Sequence, residues 1–544
     1  MIGRLLAVGA VGIAIAGCGV VGAGGNAPLP IGGPREDAVL VGGFGEILAV
    51  SASRRMLFVA SEDGLAIHDR FTERWLPPLT ATGGFPTTRF TMLSADPGRD
   101  AVWIGAVGEV LLYEPELDRL SRAIVPGRVE FIVFDRDDPS AGAFVGSGRS
   151  WTRVTPDGLA IPVRPEEIPP PGRQWRTPDL DDLYRQHPSL RAFGTLLTRD
   201  ESFRAWEPSA GTRIGDLSEA WIGTLGGGLY VVDPLFNRAR HVPYGLFERG
   251  ASALLPTTSG VLIGSDGRDL RGSGGVTTAD ATLQRWEWFR GPPDGTMTGV
   301  RVNDLAIANG ALWLATSRGV AWRPLGGGGT PGGSAAWRWI DDGLGTGVWS
   351  LAPSATGLWV GTDRGLSSIG SGGVSLAAPT GGSRVRALVR DGDSLWVGSD
   401  AGLLLMRGAV AAAQLVGERR TLSPTTNALD GRIRGLARAD SVLVVGTDDA
   451  VVVVNLRARS ASLLTGSADA RTVAPIAAVA VDAQSIWIAG AGGLLVVDRR
   501  TAAGRLVRLP LPPGVPISDV VAGEELVWLA TPLGVLRLIA RAYR

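Results

Sequence analysis

The chain has 544 residues, with 53 Lys+Arg against 53 Asp+Glu and a formal net charge of +0 at pH 7. Glycine contributes 78 residues, about twice the usual ~7% share, and hydrophobic residues reach 45%, enough for a large core. This balance excludes a disordered chain and a coiled coil, the glycines show no G-X-Y period, and the profile points to an all-β protein with many tight turns.

Residues 1–17 read MIGRLLAVGAVGIAIAG. One basic residue, Arg4, precedes an apolar run from Leu5 to Ala16 that is too short to span a bilayer, the pattern of a secretory signal peptide. The run ends in Ile15-Ala16-Gly17-Cys18, which resembles the bacterial lipobox. That resemblance implies cleavage before Cys18, a lipidated thiol and an acylated new amino group. Acyl chains hold a protein on a membrane through ~0.8 kcal/mol per buried CH₂. Gly19, rather than an aspartate, follows the cysteine, and by the sorting rule for such lipoproteins this leans toward the outer membrane, facing periplasm or surface. Residues 18–37 are small, Gly/Pro-rich and aperiodic, and read as a flexible tether. No later apolar run approaches the ~18 residues of a membrane-spanning helix.

From residue 38 onward one pattern recurs: aliphatic, Trp, aliphatic, Gly/Ala, Thr/Ser, two variable residues, Gly, aliphatic. Clear copies are LWVGTDRGL from Leu358, LWVGSDAGL from Leu395, LWLATSRGV from Leu312, IWIAGAGGL from Ile486 and VWLATPLGV from Val527. Further copies begin at Leu57, Val102, Ala220 and Leu443, with weaker ones at Phe144 and Val261. Successive copies lie about 37 to 51 residues apart, except one step of about 77, and a period of ~40–50 residues suits a four-stranded propeller blade. Each unit reads as a blade. An apolar first strand such as VNDLAIA (302–308), VRALVRD (385–391) or IAAVAVD (476–482) comes first. The motif is the second strand and ends in a tight hairpin at its glycine. Third strands are GLYVVD (228–233), AVVVVN (450–455) and GLLVVD (493–498), and fourth strands are RWLP (74–77), FRAW (203–206), RWEWF (285–289) and WRWI (337–340). Trp103, Trp221, Trp313, Trp359, Trp396, Trp487 and Trp528 occupy the motif and are expected to pack between blades. The motif resembles the propeller repeats in the sensor halves of hybrid two-component regulators. That resemblance covers about residues 45–540 and implies a propeller, here as a stand-alone lipoprotein with a sensing or interaction role.

Eleven blades exceed the ~4–8 of a single propeller, so two rings are expected. Two readings of the ring order stay open. The strand AVLVGG (38–43) has no preceding blade, and GVLRLIARAYR (534–544) lacks a fourth strand, so the two ends would close one ring by pairing. Alternatively, the chain divides sequentially near 240–300, into four and seven or five and six blades. The long step marks an insertion over 155–215, with PPPG (169–172) and a helix over 180–186 that starts after Asp179 and stops before Pro188. LGGGGTPGGSAA (325–336) reads as a loop.

All 53 Lys+Arg residues are arginine, which excludes a P-loop, Schiff-base or kinase lysine. One cysteine leaves no disulfide and no cysteine zinc site. His68, His187 and His241 fit no ligand spacing, so neither metal nor cofactor is expected. Zero net charge gives no field for nucleic acid. Asp135-Arg136-Asp137-Asp138 begins like a calcium loop, but Pro139 breaks the pattern, and a turn is expected. The second-to-third-strand hairpins carry Glu62, Asp63, Arg318, Asp363, Arg364, Asp400, Asp448 and Asp449, a mixed-charge set near a channel mouth that offers a face for a peptide, glycan or protein. Trp286, Trp288, Trp337 and Trp339 fall on outer strands, where they pack between blade edges or stack on sugars. Three functions follow: an envelope lipoprotein that binds a ligand or protein partner, a scaffold of an outer-membrane assembly, and a carbohydrate-active or lyase-type enzyme. The first is preferred, and no enzyme is expected.

Overall fold

A computed structural model describes residues 37–544 apart from short stretches, the longest being 192–204, 214–218, 327–336, 408–414 and 417–428. The described residues form eleven antiparallel sheets, nine of them four-stranded. In chain order the blades are 1 (47–80), 2 (90–128), 3 (131–175), 4 (208–242), 5 (251–290), 6 (302–340), 7 (348–377), 8 (385–416), 9 (435–463), 10 (476–507) and 11 (519–539). Blade 2 has three strands, because one strand, Val102–Glu114, pairs with Phe90–Ala95 through its first half and with Arg119–Arg128 through its second. Blade 3 has five, with Gln174–Trp175 added beside Phe131–Asp135.

The repeat motif explains the blade in physical terms. At its end, Thr362 Oγ1 donates to the Gly365 carbonyl at 2.9 Å and accepts from Arg364 N at 3.1 Å. Thr316, Ser399 and Thr531 repeat both bonds. The hydroxyl thus satisfies backbone groups that a two-residue turn leaves orphaned, while Gly365 sits at φ +121, a conformation that a Cβ disfavours. The small residue in mid-motif faces the next blade. A Cβ on Gly264 would lie 2.6 Å from Val302 Cγ1, so glycine there permits neighbouring sheets to approach. Among the motif tryptophans, Trp103 and Trp487 are fully buried, Trp359, Trp396 and Trp528 are buried, and Trp221 and Trp313 are half-buried. Trp103 Nε1 donates to Asp96 and Trp487 Nε1 to Asp482, at 2.9 and 2.8 Å.

The blades make two rings. The inner strands of blades 5 to 11 pack each against the next, and that of blade 11 returns to blade 5, which closes a seven-bladed ring. Blades 1 to 4 gather around a second centre. Strands near both ends of the described residues close the seven-bladed ring: Ala38–Val41 is the outer strand of blade 11, with Leu40 opposite Leu536 and Val41 opposite Val535. From Ala38 the described chain therefore starts in the large ring, builds the small one, and returns through 243–250. Its two crossovers run side by side, with Phe44 N donating to Leu246 O at 2.7 Å and Leu246 N to Gly42 O at 3.0 Å. One hydrophobic cluster spans the junction and includes Val41, Phe44, Trp75, Tyr244 and Trp286. Trp75 stacks on Tyr244 with centroids 4.2 Å apart. Arg290 is caged over Trp206, Phe247 and Trp288 at 4.7, 5.1 and 5.0 Å. Apolar and cation–π contacts thus weld the rings through aromatic faces.

Two sequence expectations need correction. Ala205 and Trp206 of FRAW (203–206) do not lie on a fourth strand. Residues 203 and 204 lie outside the described residues, and Ala205 and Trp206 lead into Pro208–Arg213, the first strand of blade 4. The ends of 155–215 belong to blades, since Ala160–Val163 is the outer strand of blade 3 and Pro208–Arg213 the first strand of blade 4. Between them runs helix Leu180–Gln186, capped by Asp179, whose Oδ1 accepts from Asp182 N at 2.7 Å. Most of 325–336 lies outside the described residues.

Candidate functional site

The two ring centres differ. In the small ring, the inner strands of blades 1 to 4 surround a cavity of about 300 Å³ that the segment Arg176–Leu180 enters. Thr177 Oγ1 lies 3.0 Å from Ser51 Oγ and 2.9 Å from Ser94 Oγ, so its hydroxyl joins the inner strands of blades 1 and 2. Part of the insertion thus narrows the centre that a small ring leaves between its sheets.

The large ring keeps an open channel of about 710 Å³, within the ~300–1,000 Å³ typical of small-ligand sites. All seven inner strands line it. In blades 5, 6, 7, 8 and 10 the register shifts around the second inner-strand residue, at Ser252, Asn303, Trp349, Arg386 and Ala477. A bulge re-aims a side chain, and each of these five lines the channel.

Two carboxylates stand on the channel wall just past this level. Asp304 accepts from Leu305 N at 2.7 Å and from Leu351 N of blade 7 at 2.8 Å. Asp519 accepts from Val520 N at 2.8 Å and from Leu254 N of blade 5 at 2.8 Å. Each clasps its blade to the next, and Asp519 does so at the joint where the ring closes. Both groups are half-buried and line the channel. Desolvation pushes Asp304 up to about 7 and Asp519 up to about 6, against the pull of their backbone donors.

At the mouth, arginines alternate with the hairpin aspartates. Trp349 Nε1 donates to Asp363 Oδ1 at 2.9 Å, and Arg384 pairs with the same carboxylate at 2.5 Å. The guanidinium carbons of Arg384 and Arg386 both lie 5.2 Å from the Trp349 ring. Arg386 pairs with Asp400 at 2.8 Å, Arg432 lies 3.5 Å from Asp400 and 3.7 Å from Asp448, and Arg434 pairs with Asp448. Blades 7 to 9 thereby share an arc of ion pairs, its two parts joined across the Trp349 ring, that orients the planar guanidinium groups.

The eight hairpin residues read from the sequence do not form one site. Asp363, Asp400 and Asp448 converge on the arc. Arg364 and Asp449 are exposed beside it. Arg318 is exposed and reaches Thr296 O at 3.3 Å. Glu62 and Asp63 belong to the ring junction, where Arg249 pairs with both at 2.6 and 2.9 Å and Gly43 N donates to Asp63 at 2.8 Å. Burial raises the Asp63 carboxyl, and Arg249 opposes that shift. Trp286 and Trp337 are buried, and Trp288 Nε1 donates to Gly245 O at 2.8 Å. Asp135 to Asp138 form a turn closed by Asp137 N on Asp135 at 3.0 Å. Among the described residues, no group of three or more His, Cys, Asp or Glu is placed to hold a metal ion. Cys18 lies outside the described residues.

Arg301, Asp304, Trp349, Arg386, Arg434 and Asp519 were not singled out from the sequence. Their signal is a polar or aromatic residue near the start of an otherwise apolar first strand, as in VNDLAIA.

No family model matches the chain, and no curated protein matches it. Solved structures do. The extracellular domain of a putative one component system of B. thetaiotaomicron is 14% identical, over 90% of this chain and 74% of that one, at a TM-score of 0.40. Virginiamycin B lyase of Staphylococcus aureus is 12% identical over 53% and 94%, at 0.41. A computationally designed protein, Ika8, is 14% identical over 53% and 96%, at 0.37. Likeness at this level says nothing about ligand or activity.

Proposed function

We propose that this is a membrane-anchored envelope lipoprotein whose seven-bladed ring binds a ligand in its central channel. One contrast carries the reading: in the small ring the Thr177 segment ties the inner strands together and leaves only about 300 Å³, whereas the large ring leaves about 710 Å³ open and lines it with oriented polar groups. Shape, volume and a few fixed polar groups are what a small-ligand site requires. The mouth arc of Asp363, Arg384, Arg386, Asp400, Arg432, Asp448 and Arg434 orders the rim and supports recognition there. Asp304 and Asp519 serve as clasps, because backbone donors occupy both oxygens of each.

The membrane half of the reading rests on the lipobox at Cys18. Mass spectrometry of the mature amino-terminal peptide tests it. An acylated Cys18, with Cys18→Ser protein released from membranes, supports the anchor, and an unmodified thiol refutes it. The binding half is tested by filling the channel. Ala477 is small, exposed and faces the channel, so Ala477→Trp narrows it while leaving the strands paired. Native mass spectrometry after dialysis against a small-molecule envelope extract should show added mass on the wild type and none on Ala477→Trp. Equal added mass on both places the ligand elsewhere.

A further inference from the structure

The channel is not uniform around its circumference. Blades 5 to 9 bring Arg268, Arg301, Trp349, Arg386 and Arg434 to it, whereas blades 10 and 11 bring Pro475, Ala477, Ala491 and Pro516, all exposed. Blade 10 stands across the ring from blade 6, so an apolar patch faces arginines, while Asp304 and Asp519 on the channel wall have their oxygens taken up by backbone donors.

The arginines also differ among themselves. Arg386 and Arg434 are neutralised by Asp400 and Asp448, and Arg268 lies 3.4 Å from Asp266. Among the described residues, Arg301 has neither an ion-pair partner nor a hydrogen-bond acceptor for its side chain, and Asp266 and Asp519 act on it only through longer-range attraction. Desolvation in the channel holds its pKa below the ordinary arginine value. An exposed guanidinium that lines the channel with its donor fork unused favours an anion that supplies two acceptors. A neutral occupant would leave that charge dehydrated and unpaired.

We propose that the channel of the large ring binds an amphipathic monoanion, its acid group on Arg301 and its apolar body against Pro475, Ala477, Ala491 and Pro516. This rests on the ligand-channel reading above and adds the chemical class.

Isothermal titration of the full chain with octanoate, octanamide and octylamine tests it, since the three share an apolar tail and differ in head charge. Octanoate should bind at least about tenfold more tightly than octanamide, and octylamine should not bind, the expected order for a charge-assisted contact. Arg301→Gln should weaken octanoate about tenfold or more and leave octanamide unchanged. Ala477→Asp, which sets a like charge in the apolar wall, should weaken octanoate with Arg301 intact, so the result does not hang on one variant. Unchanged unfolding temperatures check that both variants are folded. Octanamide or octylamine bound as tightly as octanoate would overturn the anion assignment yet leave a ligand channel. Octanoate affinity indifferent to Arg301→Gln, or no binding by any of the three, would overturn the proposal. The channel-filling experiment judges the broader reading independently.

Discussion

Asp304 offers a test in which the sign of a mutational effect changes with pH. Its carboxyl rises from 3.8 to about 7 on folding, and that rise corresponds to about 4 kcal/mol of penalty on the charged form. A folded-state pKa above the unfolded one means that the native state binds the extra proton. Stability from this group is therefore fully present below pH ~4 and is lost as pH climbs through about 7. Asp519, raised to about 6, acts in the same direction. Asn at 304 can accept only one of the two backbone donors, Leu305 N and Leu351 N, and turns an N–H toward the other. At pH 5, where Asp304 is protonated, Asp304→Asn should cost about 1–3 kcal/mol for the lost acceptor. At pH 8 the wild type must hold the charge, so the deficit should shrink to near zero or reverse. Urea denaturation at both pH values reads this out, with kinetic control of reversibility because the chain has two rings. An equal deficit at pH 5 and pH 8 would refute the assignment of Asp304 as a desolvated carboxylate.

Three further outcomes follow from the fold. Gly264→Val sets new atoms against Val302, only 2.6 Å from an ideal Cβ, and should lower stability by about 1–3 kcal/mol through overpacking, measured by calorimetry. Arg290→Ala empties the cage of Trp206, Phe247 and Trp288 and should speed limited proteolysis at 243–250, while cleavage unchanged from wild type would show that the apolar cluster alone holds the rings. Leu40→Asp places a charge on the closing strand opposite Leu536, where Leu40 is buried, and should cost several kcal/mol, on the order of ~3–5, seen as a lower unfolding temperature.

The amino-acid sequence alone determined the local units. Alternation and the Thr-x-x-Gly turn are short-range, since Thr362 bonds only three residues ahead, so strands such as Val302–Ala308, Val385–Asp391 and Gly228–Asp233 were legible residue by residue. Asp179 likewise marks the start of its helix through a bond to Asp182. Tertiary structure decided what depends on contacts far apart in the chain: the pairing of Leu40 with Leu536, the four-and-seven division, and the seating of Thr177 between Ser51 and Ser94. Ring closure sums small inter-blade rotations that no single repeat encodes. For the same reason Asp363, Asp400 and Asp448 meet their arginines while Glu62 and Asp63, on an equivalent hairpin, meet Arg249 at the junction. A hairpin's residue types are written locally, but which side chains converge on it depends on the ring that carries it and on where that ring turns its face.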